Sequence, residues 1–271
     1  MSDFLMTRGL TREFGGLTAV NGVDLDVREG DITGVIGPNG AGKSTLFSML
    51  AGALRPTRGE IAFRGHSIAG GDEQRAVQRG LARTFQSTRL FPQLTTRENV
   101  LIGCSPHLSV NPLKVLLATR RVRAEERAAQ ARTDELLAYL DVAHLAHRRA
   151  SELAYGDQRR VAIARALATQ PTLLLLDEPA AGMNEEETAA LRDLLLRLRG
   201  ERGVSLLIVE HDMPLVMGIC DQITVLDHGE QIASGNATTI QNDPRVMEAY
   251  LGSGASRASR RQRRVRRLVG G

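Results

Sequence analysis

The chain contains no tryptophan, three tyrosines and six phenylalanines among 271 residues. Its core must therefore be built mainly from aliphatic side chains. No apolar run approaches the ~20 residues needed to span a bilayer, and no basic start followed by an apolar run reads as a secretory leader, so a cytoplasmic location is expected. Two cysteines, Cys104 and Cys220, stand far apart without a close-spaced cysteine or histidine pattern. That excludes a disulfide framework and a structural zinc site and leaves them as inert buried thiols. Lysine is almost missing as well: Lys43 and Lys114 are the only two.

What is present is a 42% hydrophobic composition, enough to bury the core of one large α/β domain or two small ones. The formal charge of +4 misleads, because seven arginines and no acid lie in the final stretch "SRASRRQRRVRRLVGG". Without it the chain is slightly acidic, unlike a protein whose main surface tracks nucleic acid. Residues 253–271 read as a disordered arginine-rich tail, with contact to anionic lipid or to nucleic acid as alternatives.

The first part of the chain, to about residue 85, alternates short β-rich runs with turns. "ITGVIG" runs into glycines, and "GEIAFRG" sits between glycines like a hairpin strand. In "STLFSMLAGAL", Leu46, Phe47, Leu50 and Leu54 share a helical face, with Arg55-Pro56 expected as the stop. From Glu98 to Ala150 the sequence turns charged, alanine-rich and leucine-rich with a helical period, which predicts an inserted helical subdomain, placed at about 88–165. The runs "TLLLLDEP" and "VSLLIVEHD" alternate with amphipathic helices, the pattern of parallel strands buried on both faces. A hairpin is expected to turn at His228-Gly229, and Asp243-Pro244 to open a last helix. The expected class is α/β, a P-loop NTPase core with an antiparallel β subdomain and the helical insert.

The stretch Gly37, Pro38, Asn39, Gly40, Ala41, Gly42, Lys43, Ser44, Thr45 fits G-x-x-x-x-G-K-[ST] between an apolar strand and an amphipathic helix. Its glycines permit close approach, so successive backbone N–H groups can surround a phosphate at a helix start. Lys43 would neutralise the β- and γ-phosphates of ATP, and Ser44 would ligate Mg²⁺; the competing reading is a tight glycine turn with a solvated lysine. Asp177 ends an apolar strand where its carboxylate can reach the Mg²⁺ shell, and Glu178 follows. A second carboxylate there can orient and deprotonate water, worth about 10²–10⁴ in rate, which favours hydrolysis over transfer to an acceptor.

Five ordered motifs, "GPNGAGKST", "ARTFQ", "LAYGDQRR", "LLLLDEP" and "VEHD", together resemble the nucleotide-binding subunit of ABC transporters over residues 5–252. The resemblance implies that Gln86 contacts Mg²⁺ and the attacking water and that His211 grips the γ-phosphate. It also implies that Phe14, in "REFGG", stacks on adenine, against the alternative of an ordinary core residue. The segment Leu153, Ala154, Tyr155, Gly156, Asp157 corresponds to the family signature, usually "LSGGQ", which presents a helix start to the γ-phosphate held by a second subunit.

Here Ala154 replaces the serine, Tyr155 the first glycine and Asp157 the glutamine, while Asn184 stands where many members have aspartate. A hydrogen bond worth roughly 1.5–3 kcal/mol is absent with the serine hydroxyl. A pair with two unequal sites and compensation by the backbone donors are the alternatives. The same motifs, with "NDPRVMEAYLG", resemble the larger ATPase subunit of branched-chain amino acid importers. That implies a sister ATPase as heterodimeric partner, two membrane permease subunits, an external solute-binding protein, and a place on the cytoplasmic face of the membrane. An ABC exporter of lipid or lipopolysaccharide and a non-transport ABC ATPase are the rival readings. The chain between Lys43 and Asp177 is too short for the long coiled-coil arms of a chromosome ATPase.

Overall fold

The computed structural model describes residues 4–68, 73–84, 89–107 and 120–250. Gln86, Lys114 and the arginine-rich tail lie outside the described residues. The chain divides into two compact units, one made of Met1–Leu50, Leu54–Gly70 and Val209–Gly271, the other of Ala51–Ala53 and Gly71–Ile208.

The first unit opens with two long antiparallel strands, β1 (Leu5–Phe14) and β2 (Leu17–Val27). In β2 the buried Val23, Leu25 and Val27 alternate with exposed Asp24 and Asp26, the period of a sheet with one wet face. Strands β4 (Arg58–Phe63) and β5 (His66–Ser67) extend this sheet in the order β2-β1-β4-β5, as the glycine-bounded run "GEIAFRG" predicts.

Strand β3 (Ile32–Ile36) is buried at every position and pairs in parallel with β9 (Gln222–Asp227). Strand β10 (Glu230–Gly235) returns antiparallel to β9. The connecting turn is His228-Gly229, with φ of 46° and 85°, the positive values that a two-residue hairpin turn requires. Helices α1 (Lys43–Leu50), α7 (Met213–Ile219) and α8 (Ala237–Gln241), with a helix at 244–250 after Asp243, complete this unit.

Helix α1 stops earlier than the sequence suggests. It ends at Leu50, and Gly52 takes a φ of 75° that an ordinary side chain resists, so the chain turns before it reaches Arg55-Pro56. Leu54 then donates its N–H back to the Ser48 carbonyl instead of continuing the helical face.

In the second unit β6 (Leu81–Arg83) lies parallel to β7 (Leu173–Asp177), and β8 (Ser205–Val209) is the neighbour of β7. Every residue of β7 and β8 is buried, as continuous apolar runs in a parallel arrangement predict. Helix α2 (Glu73–Gln78) precedes β6; α3 (Thr96–Ile102), α4 (Arg120–Tyr139) and α5 (Tyr155–Ala168) pack on one another. Helix α4 is charged outside but turns Val122, Ala129, Thr133, Leu136 and Leu137 inward, and Arg97 of α3 grips Asp134 on it through two bonds of 2.7 and 2.9 Å. Helix α6 (Glu185–Arg202) connects β7 to β8.

Both cysteines are buried free thiols, as expected from their isolation. Burial is the main cause that pushes the Cys220 thiol up to about 12, so it stays protonated and unreactive near neutral pH. Among the described residues no helix is long and apolar enough to cross a membrane.

Candidate functional site

In the first unit the segment Gly37–Thr45 runs from the end of β3 into the first turn of α1. Its glycines are demanded by packing. A Cβ on Gly37 would lie 2.1 Å from the Leu226 carbonyl oxygen, and one on Gly42 would lie 2.3 Å from the Ala19 carbonyl oxygen. Two neighbouring strands thus hold the loop's backbone in a path that only glycine can follow. Lys43, 8% exposed, folds back so that its ammonium donates to the carbonyls of Gly37 at 2.7 Å and Pro38 at 3.0 Å. This excludes the solvated-lysine alternative. Asn39, Gly40 and Ser44 are exposed, Pro38 and Thr45 are partly so, and Ala41 is buried with its carbonyl accepting from the Gly229 N–H.

The same unit holds His211 and Phe14. Glu210, directly after β8, is completely buried and accepts the backbone N–H groups of His211 at 3.0 Å and Asp212 at 3.3 Å. Asp212 in turn accepts from the Leu215 N–H and caps α7. The His211 ring is thereby carried on a braced turn and remains mostly exposed, with Nδ1 3.7 Å from Glu210 Oε2. Phe14 ends β1 at the hairpin tip and is 45% exposed, so the ordinary-core reading is corrected. The Arg12 guanidinium lies 4.5 Å from its ring centroid, which leaves an aromatic face in a cationic setting.

In the second unit the acid pair follows β7. Asp177 is buried and its Oδ2 accepts from Arg83 at 2.9 Å, Arg83 standing at the end of the parallel neighbour β6. Glu178 has a φ of 47°, a left-handed backbone that costs a non-glycine residue about 1–3 kcal/mol and clusters at functional sites. Its carbonyl accepts from Arg159 at 2.7 Å.

Leu153 is buried, and Ala154 occupies the position before α5 with an extended backbone and no side-chain bond to the helix. Tyr155, Gly156 and Asp157 form the first turn, with Asp157 the acid within it. By contrast, Asn184 caps α6: its side chain accepts from the Glu187 N–H at 2.9 Å and Glu187 returns the bond to the Asn184 N–H at 2.9 Å. Asparagine and aspartate cap equally well, so this departure from the usual aspartate keeps the helix start intact.

Each unit therefore carries part of the expected set. The first carries Gly37–Thr45, Phe14 and His211; the second carries Asp177, Glu178 and the segment Leu153–Asp157. Gln86 lies outside the described residues. The sequence reading missed Arg83, Arg159 and Glu210, whose only signal was an ionisable residue inside a quoted motif. Among the described residues no group of three or more His, Cys, Asp or Glu side chains could hold a metal ion by itself. Ser44 and Asp177 are oxygen donors of the kind that Mg²⁺ takes, one or two from protein beside substrate phosphates and waters.

A family profile described as "ABC transporter" matches residues 20–181, and one described as "Branched-chain amino acid ATP-binding cassette transporter" matches residues 230–256. The high-affinity branched-chain amino acid transport ATP-binding protein BraF of Pseudomonas aeruginosa is 45% identical over 248 residues, covering 92% of this chain and 97% of that protein. LivG of Escherichia coli, described in the same terms, is 44% identical over 92% of this chain and 97% of its own.

Among solved structures, the ADP conformation of an ATP-binding cassette of an ABC transporter superposes with a TM-score of 0.80 at 32% identity, covering 93% of this chain and 100% of that one. A dimeric bacterial ABC transporter cassette gives 0.72 at 26% identity, with 86% and 98% covered. The glycine-rich loop after β3, the acid pair after a buried parallel strand and these matches along nearly the whole length establish that the chain belongs to the ABC transporter family of ATP-binding cassettes.

Proposed function

We propose that this chain hydrolyses ATP to drive import of branched-chain amino acids or related small polar solutes through partner membrane subunits. The observation that carries the ATP reading is the loop Gly37–Thr45, in which two carbonyls exclude any Cβ at Gly37 and Gly42 and the sole described lysine is drawn back onto the loop. Such a cradle offers consecutive backbone donors and a buried cation to a polyphosphate. The solute class follows from the relatives that share 45% and 44% identity and are described as branched-chain amino acid transport proteins.

In this reading Lys43 neutralises the β- and γ-phosphates, Phe14 stacks on adenine and His211 grips the γ-phosphate. Ser44, Asp177 and Gln86 would hold Mg²⁺, which offsets phosphate charge when bound. Glu178 takes a proton from water as that water's oxygen bonds to the γ-phosphorus and the bond to ADP breaks. Leu153 to Asp157 close over a nucleotide bound by a sister cassette, using helix N–H donors, and release of that contact after hydrolysis separates the pair. The cassette spans residues 5–252 with its helical part at about 88–165. It sits at the cytoplasmic face beneath two permease subunits fed by an external solute-binding protein.

A Glu178→Gln chain in the assembled transporter should bind ATP as the parent does but turn it over at least about tenfold more slowly. Release of inorganic phosphate at saturating Mg²⁺-ATP, set beside equilibrium nucleotide binding, decides it; parental turnover removes Glu178 as the base.

A further inference from the structure

Arg159 is 5% exposed, one helical turn after Tyr155 on α5. Burial of a guanidinium is costly unless its donors are matched; here both terminal nitrogens are matched while Nε is buried without a hydrogen-bond partner. One terminal nitrogen donates to the Glu178 carbonyl at 2.7 Å, and the other donates to the Tyr155 hydroxyl at 2.7 Å and to the Ala181 carbonyl at 3.3 Å. The guanidinium also lies 5.1 Å from the Tyr155 ring centroid. Residues four apart on a helix share a face, so tyrosine at the position where the family usually has glycine supplies an acceptor that aims the arginine. The turn that Arg159 grips is the strained one, since the carbonyl it holds belongs to Glu178, whose φ is 47°. A planar fork can address two backbone carbonyls and a phenol at once, whereas a lysine ammonium lacks that geometry.

We propose that Arg159, oriented by Tyr155, is a positioning residue for ATP hydrolysis, fixing the Glu178 backbone so that its carboxylate points to the attacking water. The inference rests on the reading of Glu178 as the base. It ties the start of α5 to the turn after β7, so a movement of the signature helix is felt at the base without passing through the nucleotide. Misplacement of a catalytic group by about 1 Å can cost on the order of 10²-fold.

The test uses the assembled transporter carrying Arg159→Lys, which keeps the charge and loses the fork, and Tyr155→Phe, which keeps the ring and loses the hydroxyl. Arg159→Lys should lower kcat for ATP about 10- to 100-fold with KM within about twofold, and Tyr155→Phe should lower it about threefold. Combined with Glu178→Gln, Arg159→Lys should add no further loss, because it acts only through the group already removed.

Parental kcat in Arg159→Lys overturns the proposal, as does an equal extra loss on top of Glu178→Gln or a rise in KM that accounts for the whole effect. If Arg159→Lys fails to fold, Tyr155→Phe with parental kcat overturns it instead. The two readings fail separately. Fast Glu178→Gln removes the base, whereas slow Glu178→Gln beside fast Arg159→Lys and Tyr155→Phe removes only the positioning role.

Discussion

Six α-helix starts among the described residues fall into two kinds. Helices α3 and α6 are sealed by reciprocal bonds, Thr95 with Glu98 and Asn184 with Glu187, and α7 and α8 by the side chains of Asp212 and Asn236. Helix α5 begins at Ala154 with no side-chain bond, and α1 begins after Gly42, which has no side chain to offer. The first turn of any helix leaves about four N–H groups without an internal partner. Where those groups serve only the fold, the sequence supplies an oxygen; where the motif reading places phosphate, it supplies none. The omission costs roughly 1 kcal/mol of helix stability at Ala154 and only about a few tenths of a kcal/mol at Gly42. Donors aimed outward are what an incoming anion requires.

The strongest test of that contrast is at α1. Lys43→Ala should weaken nucleotide binding at least about tenfold, read by fluorescence of a trinitrophenyl-ATP probe, because a charge-assisted bond is lost beside the open start. Unchanged affinity would mean that the loop is not the phosphate cradle. A smaller effect is expected at a sealed start: Asn184→Ala should remove about 1 kcal/mol and lower Tm by roughly 2–4 °C while ATP affinity stays the same. The smallest is the converse change. Ala154→Ser, which gives α5 a cap, should raise Tm by about 1–3 °C in the nucleotide-free chain. No rise in a calorimetric scan would show that the first turn of α5 was already satisfied, and the contrast between open and sealed starts would disappear.

Features written in adjacent residues were legible in the sequence. The glycine-rich loop after β3, the buried strands β3, β7 and β8 and the hairpin turn at His228-Gly229 each carry their own local signal, whether glycine spacing, an unbroken apolar run or a turn pair. The stop of α1 was misplaced because a proline is a louder breaker than Gly52, although the glycine acts first along the chain. What stayed hidden depends on residues far apart in sequence. Arg83 meets Asp177 across 94 positions, and Arg159 meets Glu178 across 19, and neither partner announces the other by spacing. Phe14 was ambiguous for a different reason: a hydrophobic residue at a strand end looks the same whether it turns inward or outward, and only the hairpin's geometry exposes it.

The closeness of Gly37 to the Leu226 carbonyl reaches beyond the loop itself. Strand β9 is a wall against which the loop is moulded, so the two segments form one inherited part although 189 positions separate them. A chimera that exchanges the C-terminal hairpin between related cassettes must bring a wall of the same height. A single misplaced carbonyl there would deform the loop as surely as a mutation within it.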